Sequence, residues 1–329
     1  MSTPPTSPSP SPSANIPHST FLIPHSTFLI PHSTLKVSYN ISALAPYINW
    51  PYFYFAWQVK DPSEKSRLRQ EAESILQQLE GKYQAYGLFE LFSAYSSGDD
   101  IVVFRGESEG RGGLKRRSFS PPMSGGAGEG LHIPCLRQQQ GTPPYLCLSD
   151  FLPPHIISTD SYLLSPDSSK LALFSTSVSP SLESDFDADP YMKMMTQLLA
   201  DRLAEAAAER MHEQVRKEFW GYAKDENLSI PDMLVEKFQG IRPAVGYPSL
   251  PDTSLNFIID DLIDMSQIGI RLTESGAMKP HASVSGLMLA HPQARYFSIG
   301  KIGEDQLRDY ASRRGLPLEL IRRFLASNL

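Results

Sequence analysis

From Val37 onward the sequence predicts a folded mixture of α-helix and β-strand, and three observations carry that prediction. SEKSRLRQEAESILQQLEGKYQAYG places Leu68, Ala72, Ile75 and Leu79 at helical spacing. GDDIVVFR, Gly98 to Arg105, is a turn followed by a β-branched run, the pattern of a short strand. PYMKMMTQLLADRLAEAAAERMHEQVRKEFWGYA returns Leu199, Leu203, Ala207, Met211 and Val215 every fourth residue, so one long helix acquires an apolar face.

The first 36 residues differ in kind. STPPTSPSPSPS is proline and serine punctuation with little apolar area to bury, and it reads as an extended, disordered tail. Three copies of a seven-residue unit follow in IPHSTFLIPHSTFLIPHSTL, from Ile16 to Leu35. A heptad suggests a coiled coil, but one proline per unit breaks any helix. The repeat aligns His18, His25 and His32 as a conceivable metal tract; duplicated coding sequence, or a start assigned too far upstream, explains the regularity more simply. The folded domain is therefore expected over residues 37–329.

Within it, the first helix carries a cap signal at Ser63 and a stop near Gly87. The glycine-rich run SEGRGGLKRRSFSPPMSGGAGEG matches neither a phosphate loop nor a dinucleotide fingerprint and reads as a mobile surface loop. YLCLSDFLPP returns to strand character, whereas Ile156 to Asp189 is serine-rich and yields no assignment. On the long helix, Arg202, Glu205, Glu209, His212 and Arg216 form a charged stripe, expected to be a solvated face laced with ion pairs; Ala204, Ala206, Ala207 and Ala208 let a helix or a ligand approach closely. LNFIIDDLIDMSQIGIRLTESGAM predicts a second amphipathic helix through Phe257, Leu262 and Met265, ending near Gly269. ASVSGLMLAHPQARYFSIGKI alternates into a strand pair around the turn His291 to Gln293.

Composition removes several classes of function. Among 329 residues the net charge is -6 and the charges are mixed along the chain, so no surface is set up to track nucleic-acid phosphates. Two cysteines, Cys135 and Cys147, are too few for a disulfide framework or a zinc quartet, and a reducing cytoplasm fits them. No apolar run reaches membrane-spanning length, and the N-terminus lacks a secretory pattern. SVSG lacks the first glycine of a serine nucleophile elbow, and no histidine pair in the folded part stands at metal-ligand spacing. Neither a catalytic dyad nor a metal site is expected.

What remains is the loop GIRPAVGYPSLPD, Gly240 to Asp252. Arg242 offers a planar fork to a carboxylate, and Pro243 and Pro248 lower the entropy cost of presenting it. Gly246 lets backbone amides approach a ligand. Tyr247, with Tyr296 and Phe297, supplies aromatic surface for a base or a cation, and Glu205 supplies negative charge beside that cation. A carboxylate, an aromatic base and a positive centre together describe S-adenosylmethionine; a purely structural loop is the competing reading.

Four long blocks, ADRLAEAAAERMHEQVRKEFWGYAKDENL, GIRPAVGYPSLPD, LTESGAMKPHASVSG and YFSIGKIGEDQLRDYASRRG, resemble the C-terminal activation domain of cobalamin-dependent methionine synthase, with YINWPYFYFAWQ, GDDIVVF, LRQQQG and YLCLSDF in the family's order before them. The resemblance implies an α+β fold: one C-shaped domain with a twisted antiparallel sheet flanked by helices, binding S-adenosylmethionine in a shallow groove. It further implies that the domain covers a cobalamin domain whose cofactor has been oxidised to cob(II)alamin, and that a flavodoxin electron and the methyl group of S-adenosylmethionine restore methylcobalamin. It carries ligand-binding roles to Arg242, Ala244, Gly246 and Tyr247, to Tyr296 and Phe297, and to Glu205 and Glu236 as acidic positions near the ligand. One departure bears on binding: the family's YIDW is YINW here, so Asn49 replaces an aspartate expected to accept from the ligand's amino group, keeping an acceptor but losing the charge. The family's FPAN is FSAY at Phe92 to Tyr95. The sequence holds no DxHxxG cobalamin motif and no room for the homocysteine, folate and cobalamin domains. Two expectations follow: activation in trans, on a separate cobalamin-binding methionine synthase with a flavodoxin-like electron donor, or a non-catalytic assembly protein for a corrinoid protein.

Overall fold

The computed structural model describes residues 34–104, 130–154 and 170–329. All but the last two residues of the histidine repeat, all but the last residue of the glycine-rich run, and residues 156–169 of the unassigned stretch lie outside them. In chain order the regular elements are β1 (Leu35–Asn40), α1 (Ile41–Leu44), α2 (Trp50–Ala56), α3 (Pro62–Leu79), β2 (Gln84–Ser97), β3 (Asp100–Phe104), β4 (Leu131–Pro134), β5 (Lys170–Val178), α4 (Pro190–Gln214), α5 (Ile230–Leu234), α6 (Leu255–Ile263), β6 (Arg271–Leu272), β7 (Met278–Lys279), β8 (Ser283–Met288), α7 (Glu304–Arg314) and α8 (Leu318–Phe324).

Six strands make one antiparallel sheet in the order β4-β3-β2-β5-β8, with β1 beside β2. The long β2 pairs its first half with β1 and its second half with β3 along one edge, while β5 runs along the other. The result is a curled, half-barrel antiparallel sheet flanked by helices, in keeping with the expected antiparallel sheet with helices against it. Side chains alternate across it. Phe89 of β2 and Ala172 and Phe174 of β5 face one apolar cluster, which α3 and α4 close; Leu88, Leu171 and Leu173 face a second, closed by α6. A third, smaller cluster joins α7 and α8 to Leu136. Cys135 and Cys147 are buried free thiols.

Several local expectations change. Helix α3 is capped by Asp61, whose side chain accepts from the amides of Ser63 and Glu64, so Ser63 sits inside the first turn. The helix ends at Leu79, and Gly87 is not its stop but a mid-strand residue of β2, at the point where Met211 of α4 lies against the sheet. YLCLSDFLPP keeps only isolated bridge pairings, Cys147 with Arg137 and Pro154 with Ser96, on either side of a 3-10 turn, Leu148–Phe151, in which the Asp150 carboxylate accepts from the Cys147 amide at 2.8 Å. The unassigned stretch contains β5, the strand between β2 and β8. The second amphipathic helix, α6, stops at Ile263, where Asp264 takes a left-handed conformation before a 3-10 turn over Met265–Ile268; Phe257 is 39% exposed and off the buried face. Ser283–Met288 is a strand, but it pairs with β5, and residues 294–303 form no return strand. The expected tail boundary also moves: Leu35 and Lys36 are already paired in β1.

Candidate functional site

The loop after Gly240 runs along the free edge of β8 as an irregular seventh strand. Ile241 and Leu289 exchange backbone hydrogen bonds at 2.9 Å, the Leu287 amide donates to the Pro243 carbonyl at 3.0 Å, and the Val245 amide donates to Ser285 at 2.9 Å. Such close approach requires Gly286, because a Cβ there would fall on the Pro243 carbonyl oxygen and stand 2.8 Å from the Ala244 Cα. At the tip, Gly246 has φ +87° and donates its amide to the Leu250 carbonyl at 2.8 Å, while the Tyr247 amide turns back to Ala244 at 3.2 Å. The loop therefore spends these amides on itself and on β8. The expectation that Gly246 frees backbone amides for a ligand is not met; what the loop presents is side chains.

Pinned in this way, the loop faces α4. The Arg242 guanidinium pairs with Glu209, and the Tyr247 hydroxyl donates to Glu205 one turn earlier. The Arg242 amide donates to the Tyr296 hydroxyl at 2.9 Å. Three of the expected residues, Arg242, Tyr247 and Tyr296, thus meet Glu205 in one cluster, with Ala244 buried in the backbone beneath them. The guanidinium also lies 5.8 Å from the centre of the Phe174 ring of β5. Arg242 is only 7% exposed, and its Nε is buried with no hydrogen-bond acceptor. Burial opposes its charge, but Glu209, with Tyr296, Glu205 and Tyr247 around it, more than offsets that and raises its pKa.

The same surroundings shift the neighbouring groups. Burial and the Glu205 carboxylate push the Tyr247 phenol up, although the ring keeps 49% of its surface exposed. Burial raises Tyr296 against the opposing effect of Arg242. Glu236 stands at the loop's other flank with a left-handed φ of 61°; burial, then Glu209, raise its pKa against the pull of Arg242. Asn49 lies at the start of α2 and makes no side-chain cap bond. Two residues beyond the start of that helix, Tyr52 has the Arg202 guanidinium of α4 5.9 Å from its ring centre, so α2 lies beside the α4 turn that precedes Glu205. Phe297 does not join the cluster; its ring packs toward Phe151, 6.4 Å away, and against the apolar clusters.

The charged stripe on α4 is not a solvated face. Beyond Glu205 and Glu209, His212 is fully buried, 4.9 Å edge-on from Phe238 and 3.3 Å from the Tyr222 hydroxyl. Arg216 is equally buried, paired with Glu226 at 2.7 Å and set over the Phe238 ring at 4.3 Å. Burial, then the Arg216 and Arg242 charges, hold His212 well below the usual histidine range, so it is neutral. Sequence reasoning placed Glu209 on the stripe but gave it no role; its position four residues after Glu205 was the available signal. Two surface cavities of about 440 and 430 Å³ lie around residues 221–228 and beside Pro180 and Gly269; the first is lined in part by Tyr222, Glu226 and Phe238, and neither is lined by Glu205, Glu209, Arg242, Tyr247 or Tyr296. Among the described residues, no group of histidine, cysteine, aspartate or glutamate is arranged to hold a metal, and no helix is long and apolar enough to cross a membrane.

Residues 40–315 match the family described as the activation domain of vitamin B12 dependent methionine synthase. Among solved structures, a crystal structure of the MetH reactivation domain bound to AdoHcy is similar at 33% sequence identity and a TM-score of 0.76, with 90% of each chain covered.

Proposed function

The chain belongs to the family of vitamin B12 dependent methionine synthase activation domains, and on that premise we propose that it binds S-adenosylmethionine in the groove between the Arg242–Tyr247 loop and α4. The observation that carries this reading is the Arg242 guanidinium: nearly buried, held by one carboxylate, with its Nε left without an acceptor. A ligand carboxylate pairs with the guanidinium N–H groups that Glu209 leaves free, and so completes the pairing of a charge that one carboxylate only partly satisfies. The neighbour's bound AdoHcy has the same amino-acid end and adenosine as S-adenosylmethionine, which supports the same ligand class here.

In this proposal the ligand brings its own activated methyl group as a sulfonium, and the chain's side chains bind and orient. Arg242 holds the carboxylate end. Glu205, on the α4 face opposite Tyr247, provides negative charge for the sulfonium, and the exposed Tyr247 ring offers a flat surface for the adenine. No side chain is required to serve as nucleophile or general base, because the methyl acceptor is cobalamin carried by a separate cobalamin-binding methionine synthase, reduced by a flavodoxin-like donor; the chain's task is alignment. Asn49, without the charge of an aspartate, leaves Glu205 and its neighbours to attract the ligand's positive groups.

Isothermal calorimetry with S-adenosylmethionine and S-adenosylhomocysteine tests binding; absence of heat with both sinks the proposal. Mixing the protein with cob(II)alamin-loaded methionine synthase, an electron donor and S-adenosylmethionine tests the transfer, expected to appear as the methylcobalamin spectrum on the partner. Binding without that spectrum, where a complete family member produces it, replaces the activation reading with a non-catalytic assembly role on a corrinoid protein.

A further inference from the structure

We propose that Glu209 is the positioning residue of this groove: it holds the Arg242 guanidinium in place and makes the site selective for ligands that carry an amino-acid end. The inference rests on the binding reading above and adds a residue to it. Arg242 has five N–H donors. Its side chain donates to one protein oxygen, on Glu209, and its Nε is buried without an acceptor. Its backbone is fixed by the Tyr296 hydroxyl at 2.9 Å and by the pairing of the flanking residues with β8. Only χ rotation is left to misplace the guanidinium, and Glu209 is the side chain that stops it.

Charge reinforces the geometry. Glu205 and Glu209 lie one helical turn apart on the same face of α4, and both reach the loop. With Glu236 at the flank, three acidic groups surround Arg242. A bare anion therefore meets a groove that repels it, whereas a zwitterion places its carboxylate on the free N–H groups of Arg242 and its ammonium toward the surrounding carboxylates. The predicted discrimination is between ligands with and without the amino-acid end, not between different bases.

The test compares two neutral thioethers that share their adenosine: S-adenosylhomocysteine, which has the amino-acid end, and 5′-methylthioadenosine, which lacks it. Their dissociation constants are measured by calorimetry for wild type, Glu209→Gln, Arg242→Ala and the double variant, with thermal midpoints alongside. Glu209→Gln is expected to weaken S-adenosylhomocysteine about tenfold, to leave 5′-methylthioadenosine within about twofold, and to have no further effect once Arg242 is alanine. Glu209→Asp, which keeps the charge on a shorter stem, is expected to recover part of the affinity, and it gives a second folded variant if glutamine destabilises the chain. Equal weakening of both ligands, an undiminished affinity for S-adenosylhomocysteine, or a full effect in the Arg242→Ala background overturns the proposal. Wild type that binds neither thioether is a different failure, that of the binding reading itself.

Discussion

Arg242 keeps a positive charge where burial disfavours one, and that cost is informative. A guanidinium with 7% exposure and an unsatisfied Nε is an incomplete arrangement for a structural ion pair. Arg242→Ala is accordingly expected to remove a charge-assisted contact worth about 2 to 3 kcal/mol, a roughly 30- to 150-fold loss of S-adenosylmethionine affinity by calorimetry. Arg242→Lys recovers only part of it, since the planar fork is lost; unchanged affinity in both variants makes the loop structural. His212 makes a separate prediction. Its folded pKa lies well below its ordinary 6.5, so the unfolded chain takes up a proton that the folded chain refuses as pH falls through that value. The stability it contributes is complete above the unfolded pKa and is lost on acidification, by about 1 kcal/mol between roughly pH 6.5 and 5.5. Urea denaturation across that window should show the decline in wild type and a flatter profile in the non-titrating replacement His212→Gln; parallel profiles refute the assignment. At this scale the sequence disclosed residue types but not partners. Arg242, Tyr247, Tyr296 and Glu205, expected together from their side-chain chemistry, do lie in one cluster, whereas Phe297 packs away from it, because adjacency to Tyr296 says nothing about which way each ring faces.

Two glycines separate close packing from strain at the scale of elements. At Gly87 an added Cβ meets the methyl end of Met211, a flexible side chain that can move aside; at Gly286 it meets the backbone of the Pro243–Ala244 segment, which cannot. Gly87→Ala should therefore cost little, while Gly286→Ala should destabilise by about 2 to 3 kcal/mol and weaken ligand binding as the loop is pushed off β8. Denaturant midpoints that rank the two the other way contradict this account. The same contrast explains what was readable. Helix α4 announced itself through a four-residue apolar period, and its start holds because Asp189 caps it with Pro190 at its first position, whereas its α-helical part stops at Gln214 and gives way to a π-helical turn over Val215–Phe219, short of Ala223 where the segment ends. Its charged stripe was misread because periodicity defines faces, not what packs on them. Strand β5 was missed because eight of its nine residues are buried, so both faces are apolar or hydroxyl-bearing and no alternation marks it. In β2 the helical reading ran on past Leu79, since nothing in KYQAYG signals the change of period before the strand begins.

For the whole molecule, the first question is where folding begins to matter. We propose that residues 1–33 contribute nothing to stability, and that the limit is set by β1, whose Leu35 pairs with Phe89 and whose Lys36 donates to the Gln267 carbonyl at 2.6 Å. Removal of residues 1–33 should leave the thermal midpoint unchanged, whereas removal through Asn40 strips β1 from β2 and should lower it by several degrees; a fall in the shorter truncation shows that the repeat docks on the domain. The second question concerns the other end of the sheet. Strand β8 would be an open border of unpaired amides and carbonyls were it not for the Gly240–Asp252 loop along it. That loop guards against edge-to-edge association as well as forming one wall of the proposed binding site. Any variant that loosens it to widen the groove also bares β8 to a second molecule, so tolerance for flexibility at this site is bounded by solubility before it is bounded by affinity.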